Sequence, residues 1–496
     1  MVKKAERGSI TIFGVLVLVL TMECLLLLAE GARFCTIKRS AYLQSQSAME
    51  SVFASYCSLL WQEYHLLGCN QSQMENVLIS YANGRNSEDE WRKNLIGFPL
   101  EQVKINRYTL ITDGNGDAFQ QAVSGYMKDT ILYEVAKAIY GQYEVIQHIL
   151  DSEDPKLEKI DEALERLEGS SSDGDIVPYQ LRRGGKAEEN GETPNVFVKS
   201  DIADNPLDGF KRIQNMKQLE PFIKDTSTIS KKYFDQTRAV SVRELSQGKD
   251  YQIPEGDWID RILLQQYLLT YFSSYADKKE DHGILYEIEY LIGGQDSDIE
   301  NLKVVTDNML LIRQAANMLY IFSDSAKVEE ANAVATALTT ATAMPELYEL
   351  VKVALLAAWA YGESILDVRG LLQGKRIPLL KSAETWTLQL SEIGGLAEDT
   401  RVAKESEMGL TYRDYLGIML LMTPDSKLSM RAMDMQEATI RGLSKDSEFC
   451  MDTLMIQAEA TISYHYKPIF GGSETMVSDF IWDYHIEHKI NYQYGS

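Results

Sequence analysis

The chain has 496 residues, 45% of them hydrophobic and 25% charged, and 73 acidic against 49 basic side chains give a formal net charge of −24. Such acidity disfavours nucleic acid as a partner, because phosphate binding needs a basic surface, and it disfavours a charge-driven grip on anionic lipid. A mean hydropathy of −0.23 excludes a membrane protein with many spans.

The first element along the chain is an apolar run from Ile10 to Ala29, which follows the basic residues Lys3, Lys4 and Arg7. A helix of that length measures about 30 Å, the thickness of a hydrocarbon core. We predict a retained transmembrane helix at 10–29 after a short basic segment at 1–9. The alternative is a cleaved signal peptide, but the run is long for one and lacks an Ala-x-Ala exit.

Basic residues flank both ends of this run, with Arg33, Lys38 and Arg39 beyond its far end. Positive-inside counting is therefore nearly balanced, and the acidic bulk downstream favours a cytoplasmic amino terminus and an extracytoplasmic body. Glu23 lies inside the run, where a carboxylate is costly. Two interpretations stay open: a contact with a neighbouring subunit, or a side chain that reaches the headgroups.

The helical pattern continues past the membrane, and residues 30–68 are predicted to form a stalk. No proline or glycine occurs from Ala32 to Leu67, and apolar residues recur there at three- and four-residue steps. Gly68 is suited to end the helix in a left-handed conformation.

Residues 69–170 are predicted to hold one strand and two charged helices. β-branched and aromatic residues mark the strand at 101–112, and helices follow at 119–150 and 156–168. Residues 171–257 are predicted to be a linker with irregular structure, because glycine, serine and proline interrupt any period.

Residues 258–450 are predicted to be a helical domain. A capping box at Ser297 opens one helix, Pro345 opens a second, and Thr411 and Thr423 open two more. The apolar centre of the second helix, VALLAAWAY, is too short to cross a membrane and is predicted to be buried core.

The last region, residues 451–496, changes to a two-residue period. Apolar and polar residues alternate from Ile456 to Lys467, and the pattern returns from Tyr484 to Tyr494. Strict alternation predicts two half-buried strands.

Several segments resemble a bacterial family of single-pass membrane proteins. RGSITIF, LLLLAEGAR, SAMESVFASYCSLLWQEYHLLGCN, EYLIGGQDSDIENLKVV and LTYRDYLGIMLLM are similar to proteins related to the TadE/TadG minor pseudopilins of the tight-adherence (Tad) pilus. The resemblance implies a mainly α (α+β) fold with a long N-terminal helix. A small antiparallel sheet from the early and C-terminal strands, and a large helical insertion, complete that fold. It also implies a place beside a Tad-like secretion machine, with no known activity.

The resemblance identifies Gly8 and Ser9 as the candidate prepilin-peptidase cleavage position. Prepilins usually carry glutamate five residues after the glycine, whereas Phe13 stands there in this chain. Phe13 cannot pair with the freed amino terminus of a neighbour, and Glu23 lies about 15 Å further along the helix. We therefore predict a stationary anchor or accessory subunit rather than the repeating subunit of a filament.

Three acidic or amide residues in a glycine-rich turn, Asp113, Asn115 and Asp117, have the spacing of a calcium loop. The later ligands of such a loop are missing, so we predict a tight turn in which Asp117 caps the next helix.

Histidines and cysteines give no metal or disulfide pattern. His485 and His488 point to opposite faces of the predicted strand, and His465 has no second ligand at a telling spacing. Cys57 and Cys69 would lie far apart along the stalk helix. The remaining cysteines are Cys24, Cys35 and Cys450.

Two further groups have ordinary structural interpretations. Glu363 and Asp367 are predicted to lie on a helix surface. A methionine group is predicted to fill a core, with a soft binding surface as the alternative; it comprises Met419, Met422, Met430, Met433 and Met435.

The sequence thus favours a non-enzymatic, membrane-anchored structural or assembly component, with no cofactor, no metal and no catalytic residues. Its expected partners are the membrane and other pilus or secretion-system proteins, without nucleic acid. The alternative is an extracytoplasmic ligand-binding or sensor module on the same anchor.

Overall fold

A long amino-terminal helix, α1 (Lys3–Ala54), begins the chain in the computed structural model, and its 52 residues correspond to about 78 Å. Every residue from Ile10 to Ala29 is exposed. Among the described residues, α1 is the one helix long and apolar enough to cross a membrane. The structure describes residues 3–83, 97–128, 133–152, 162–163, 165–166, 206–216, 219–254, 256–279, 283–341, 343–469 and 485–494.

The other described helices and strands follow α1 in chain order, with short 3₁₀ turns between several of them. They are α2 (Ser58–Tyr64), β1 (Cys69–Asn70), α3 (Met74–Ala82), β2 (Leu100–Leu110), α4 (Asp117–Met127), α5 (Tyr133–Ser152), α6 (Pro206–Gln214), α7 (Trp258–Tyr271), α8 (Glu287–Gly293), α9 (Asp298–Ser323), α10 (Ser325–Ala341), α11 (Tyr348–Leu372), α12 (Tyr412–Met422), α13 (Asp425–Ser444), β3 (Leu454–His465) and β4 (His485–Gln493).

The predicted uninterrupted helix to Leu67 is wrong, because α1 ends at Ala54. The chain then turns so that Cys57 N–H donates to Gly68 O at 2.9 Å, which brings β1 beside β3. The helix terminator is also different: His65, with φ of 55°, ends α2 in the left-handed conformation predicted for Gly68. The helix must therefore end at Ala54 for β1 to reach the sheet. The spacing of apolar residues in the sequence did not indicate this end.

The small antiparallel sheet is confirmed. β3 is central and pairs with β2 on one side, Val103 lying opposite Ile462. β4 pairs with β3 on the other side, with Ile490 opposite Ala460, and the two-residue β1 extends that side.

The helical part is also confirmed, with local differences. Ser297 caps α9 by accepting from Glu300 N–H, and Thr411 caps α12 in a full capping box. The predicted helix 119–150 is two helices, α4 and α5. The predicted helix 156–168 lies largely outside the described residues, and so do residues 171–205 of the predicted linker. The described remainder of the linker contains α6 and short 3₁₀ turns and is otherwise mostly irregular, as predicted.

The chain folds as two compact units. The first, unit 1, comprises Met1–Thr130, Val240–Asp260 and Gln436–Ser496 and contains α1 and the sheet. The second, unit 2, comprises Ile131–Ala239 and Arg261–Met435. The segment VALLAAWAY lies in α11 of unit 2 and is almost wholly buried, as predicted.

Unit 2 contains a buried ion cluster formed by residues of α9, of α11 and of the segment that follows α11. Arg313 Nε donates to Asp367 Oδ2 at 3.0 Å, and Lys381 Nζ lies 2.7 Å from both Asp367 Oδ1 and Glu363 Oε1. All four charged side chains have zero exposure. The surface positions predicted for Glu363 and Asp367 are therefore wrong, and the reason is that their partners lie far away in sequence.

Neutral partners complete this ion cluster. Asn317 Nδ2 donates to Asp367 Oδ2 at 2.9 Å, and the backbone N–H of Leu388 donates to Glu363 Oε2 at 2.7 Å. Burial alone would raise the pKa of Asp367, but Arg313 and Lys381 outweigh it and hold that pKa below its usual range. Two cations balance two carboxylates, so the cluster is a structural core.

We expect Asp367→Asn to lower the free energy of unfolding by about 3 kcal/mol or more, because it leaves two buried cations with one carboxylate. The control is Glu349→Gln, which removes an exposed carboxylate paired with Lys352 and should cost within about 0.5 kcal/mol. Denaturant unfolding of the detergent-solubilised chain measures both. Equal effects would show that the cluster does not stabilise unit 2.

Candidate functional site

The surface of α1 changes from lipid-compatible to packed at Glu30. Residues Ile10 to Ala29 are exposed, whereas Glu30 is 1% exposed and a buried stripe follows at helical spacing. The stripe comprises Ile37, Ala41, Ser45, Ala48, Met49, Val52 and Phe53.

The inward face of the sheet covers this stripe. Alternate residues of β3 and β4 form one hydrophobic core with α1, since side chains of a strand alternate between faces. The sheet residues of this core include Ala458, Ala460, Ile462, Tyr464, Ile486 and Ile490. The anchor helix and the sheet are thus parts of the same packed unit.

Four polar contacts link α1 to the sheet region at intervals of seven or eight residues, and we call them the register contacts. Their positions on α1 are Glu30, Lys38, Ser45 and Phe53, and their partners are respectively Tyr466, His488, Tyr464 and Tyr494. Seven or eight residues are about two helical turns, so the contacts lie along one side of α1 over about 35 Å. They fix both the rotation and the translation of the helix against the sheet.

The first register contact lies where α1 leaves the exposed apolar run. The Tyr466 hydroxyl donates to Glu30 Oε1, and Arg33 Nη1 donates to the same oxygen at 2.5 Å. Arg33 Nη2 donates to Lys467 O at 2.9 Å, and its guanidinium lies 5.1 Å from the centre of the Tyr466 ring. A buried carboxylate is therefore paired and hydrogen-bonded, as its burial requires. Sequence reasoning missed this role for Glu30, although an acidic residue on the apolar stripe was a usable signal.

The histidines lie as predicted. His485 and His488 are on opposite faces of β4 and do not share a ligand position. His485 Nδ1 is 2.7 Å from Glu101 Oε2 on the outward face, while His488 Nε2 donates to Lys38 O at 3.2 Å on the inward face.

The glycine-rich turn holds the end of β2. Asp113 accepts the backbone N–H groups of Leu110 at 2.7 Å and Gly248 at 2.9 Å. A Cβ at Gly248 would lie 2.2 Å from Asp113 Oδ2, so this approach needs glycine. The tight turn is confirmed, but the capping role predicted for Asp117 is wrong: the N-cap is Gly116, and Asp117 is the first helical residue.

One cluster of metal-type ligands occurs within the described residues of unit 1. Single ligand atoms of Glu437, Cys450 and Asp452 lie within 4.8 Å of one another. Arg243 already binds Glu437 with both terminal nitrogens and Asp452 at 2.6 Å, and Arg441 lies 2.7 Å from Glu437. Two guanidinium groups neutralise the two carboxylates, so the cluster connects three chain segments rather than providing a cation site.

The predictions for the cysteines and methionines are confirmed only in part. All five cysteines are free thiols. The prediction that Cys57 and Cys69 share one helix is wrong, because they lie on two segments that pair with each other. Four of the methionines fill the core as predicted, while Met422 is 40% exposed. The core methionines are Met419, Met430, Met433 and Met435.

The N-terminal candidate residues stay predictions. Gly8 and Ser9 belong to α1, and Glu23 is exposed on its apolar segment.

A family model described as a family of unknown function (DUF5702) matches residues 198–466. The chain belongs to this family. Neither a curated protein nor a solved structure matches the chain. The matched range includes β3 and the register residues Tyr464 and Tyr466, whereas α1 lies outside it.

We expect Glu30→Gln to lower the free energy of unfolding by about 2 kcal/mol, because it leaves the Arg33 guanidinium without its buried carboxylate. Glu50→Gln is the control, since Glu50 is exposed on α1 and contacts Gln46 there. Thermal unfolding in detergent compares the two variants. The importance of the first register contact is refuted if both variants unfold together with the wild type.

Acid is expected to destabilise unit 1 at the second register contact, because it places a charge on the partly buried His488. Burial lowers the pKa of the His488 imidazole below its ordinary value of 6.5, and the Lys38 charge acts in the same direction, against the bond to the Lys38 carbonyl. The folded protein therefore binds this proton less readily than the unfolded chain. The stability contribution is complete above pH 6.5 and is lost as the pH falls through the lower folded pKa.

Unfolding temperatures measured between about pH 7.5 and 5.5 should fall more steeply for the wild type than for His488→Asn. The exposed His148→Asn variant controls for loss of a histidine elsewhere and should keep the wild-type slope. A His488→Asn slope equal to that of the wild type would contradict the assignment.

Proposed function

We propose that the protein is a non-enzymatic, membrane-anchored structural or assembly component of a Tad-like pilus or secretion system at the cell envelope. The observation that carries the proposal is the continuity of α1. One unbroken helix contains both the exposed apolar segment and the buried stripe that packs on the sheet. Such a helix fixes the position of the sheet relative to the membrane.

The same continuity supports a retained anchor over a cleaved signal peptide. Signal cleavage follows small residues in a segment that the peptidase can reach. Here the apolar run passes into Glu30 without leaving the helix, and Glu30 is buried beneath Tyr466. In the folded protein, a cut at this point would have to open the first register contact.

Three arguments support the envelope role. Sequence segments from the start of α1 to α12 resemble TadE/TadG-like proteins, and a long helix packed along an antiparallel sheet is the frame that this resemblance implies. Because acidic residues outnumber basic ones by 73 to 49, we place the bulk of the chain outside the cytoplasm. Phe13 at the position of the pilin glutamate favours an anchor or accessory subunit over a filament subunit.

An extracytoplasmic ligand-binding module on the same anchor is the second candidate. The observation that favours it is a cavity in unit 2, lined by Arg369 and Lys224.

We expect the full-length chain to stay in the membrane fraction through carbonate extraction, since α1 has an apolar window with a mean hydropathy of 2.7. Protease added outside the cell should degrade the chain beyond Arg33. Recovery of the full-length chain from the cytosol would refute the anchor.

Amino-terminal mass spectrometry and immunogold labelling of sheared fibres test the accessory role. We expect the wild type and Gly8→Ala to keep the residues before Ser9 and to leave the fibres unlabelled. Regular labelling by a chain that starts at Ser9, abolished in Gly8→Ala, would identify a true pilin instead.

A further inference from the structure

A cavity of about 220 Å³ lies in unit 2 beside the carboxyl end of α11. Its lining has an apolar part that includes Phe222, Ile223 and Tyr275, and a polar part that includes Lys224, Arg369 and Thr400. Lys224 and Thr400 are exposed, while Arg369 is 3% exposed. The cavity therefore runs from the surface of unit 2 to a buried cation.

Arg369 is held by backbone carbonyl groups. Its Nε donates to Pro221 O at 2.6 Å, and Nη2 donates to Leu396 O at 3.2 Å. Nη1 makes a longer bond of 3.4 Å to Arg401 O. A guanidinium has five N–H donors. These three bonds fix its plane, and two further N–H groups are not used in them.

The positive charge of Arg369 differs from those of the buried ion cluster, whose cations are each paired with a carboxylate. Among the described residues, no carboxylate lies within ion-pair distance of its guanidinium. The nearest acidic influence is Asp399, whose carboxylate pairs with Arg401. Burial lowers the pKa of Arg369, which is the direction expected for a desolvated cation without a full counter-charge.

The surroundings favour an anion as the missing counter-charge. Lys224 and Arg369 place two cations on the lining, and none of the described lining residues is acidic. This is unusual in a chain whose net charge is −24. The Lys224 ammonium donates to Ala397 O at 3.3 Å, which positions it beside the same loop that Arg369 contacts.

We propose that this cavity binds a small organic anion, with a carboxylate or phosphate group at Arg369, Lys224 and Thr400 and a short apolar or aromatic body against Phe222 and Tyr275. Guanidinium groups bind both kinds of oxyanion through paired N–H groups. The volume is below the roughly 300–1,000 Å³ of drug-sized sites, so the ligand is a small one. The proposal does not depend on the pilus role, since it concerns unit 2 alone.

Isothermal titration calorimetry of the full-length chain in detergent tests the site with three probes: phenylacetate, phenyl phosphate and the neutral phenylacetamide. At least one anion should bind with saturable heat, about tenfold or more tighter than the amide, and weaken as salt rises. Preference for phenylacetate would identify a carboxylate ligand, and preference for phenyl phosphate a phosphate ester. Equal binding of the amide, or no saturable binding of either anion at millimolar concentration, would overturn the proposal.

Matched variants separate the site from general charge effects. Lys224→Gln changes an exposed lining residue and should weaken the anion about three- to fivefold with an unchanged unfolding temperature. Lys375→Gln removes the same charge outside the lining and should leave affinity unchanged. Arg369→Lys should fold, because it keeps the charge, yet lose most affinity because it loses the N–H pair. The proposal fails if the Lys224 and Lys375 variants weaken binding equally, or if the Arg369 variant binds as the wild type does.

Discussion

The constraint on which unit 1 depends is that one helix must serve two environments. The apolar segment of α1 exposes all its sides, as a helix in lipid requires, whereas the following turns bury one side against the sheet. The change occurs at Glu30, where a charged group is buried but fully partnered. The register contacts then hold the helix in place turn after turn. Because β3 side chains alternate in direction, a slip of one residue would turn the core face of that strand away from α1.

Local signals in the sequence were enough for much of the fold. Ser297 and Thr411 cap their helices because a short polar side chain satisfies backbone N–H groups within the same turn. The alternation around Ile456 predicts β3 for a similar reason, since burial on one face repeats every second residue. These features depend on neighbours in sequence, so one sequence reveals them.

What sequence reasoning missed depends on distant partners. Acidic residues four positions apart, such as Glu363 and Asp367, look like the exposed side of a helix until Arg313 and Lys381 are placed beside them. The end of α1 at Ala54 also depends on a distant partner. The turn that follows it allows Cys69 to pair with Met455, which comes much later in the chain. The anion cavity likewise combines residues from four separate segments.

The buried cations of unit 2 have two different kinds of partner. Arg313 and Lys381 meet an equal number of carboxylates, so the charge is neutralised permanently and the surrounding helices are fixed. Arg369 is fixed by carbonyl dipoles instead, and these orient a guanidinium without cancelling its charge. The first arrangement is typical of structure, and the second leaves an electrostatic requirement that a ligand can satisfy.

The position of β3 in the chain has a consequence for biosynthesis. This central strand is translated roughly 400 residues after the end of α1, a delay of about 20–80 seconds at common rates of chain elongation. Throughout that time the stripe from Ile37 to Phe53 has no sheet to cover it, while the apolar segment of α1 is already able to enter the bilayer. Insertion at the membrane can therefore precede completion of the core, which has to wait for the translation of β3 and β4.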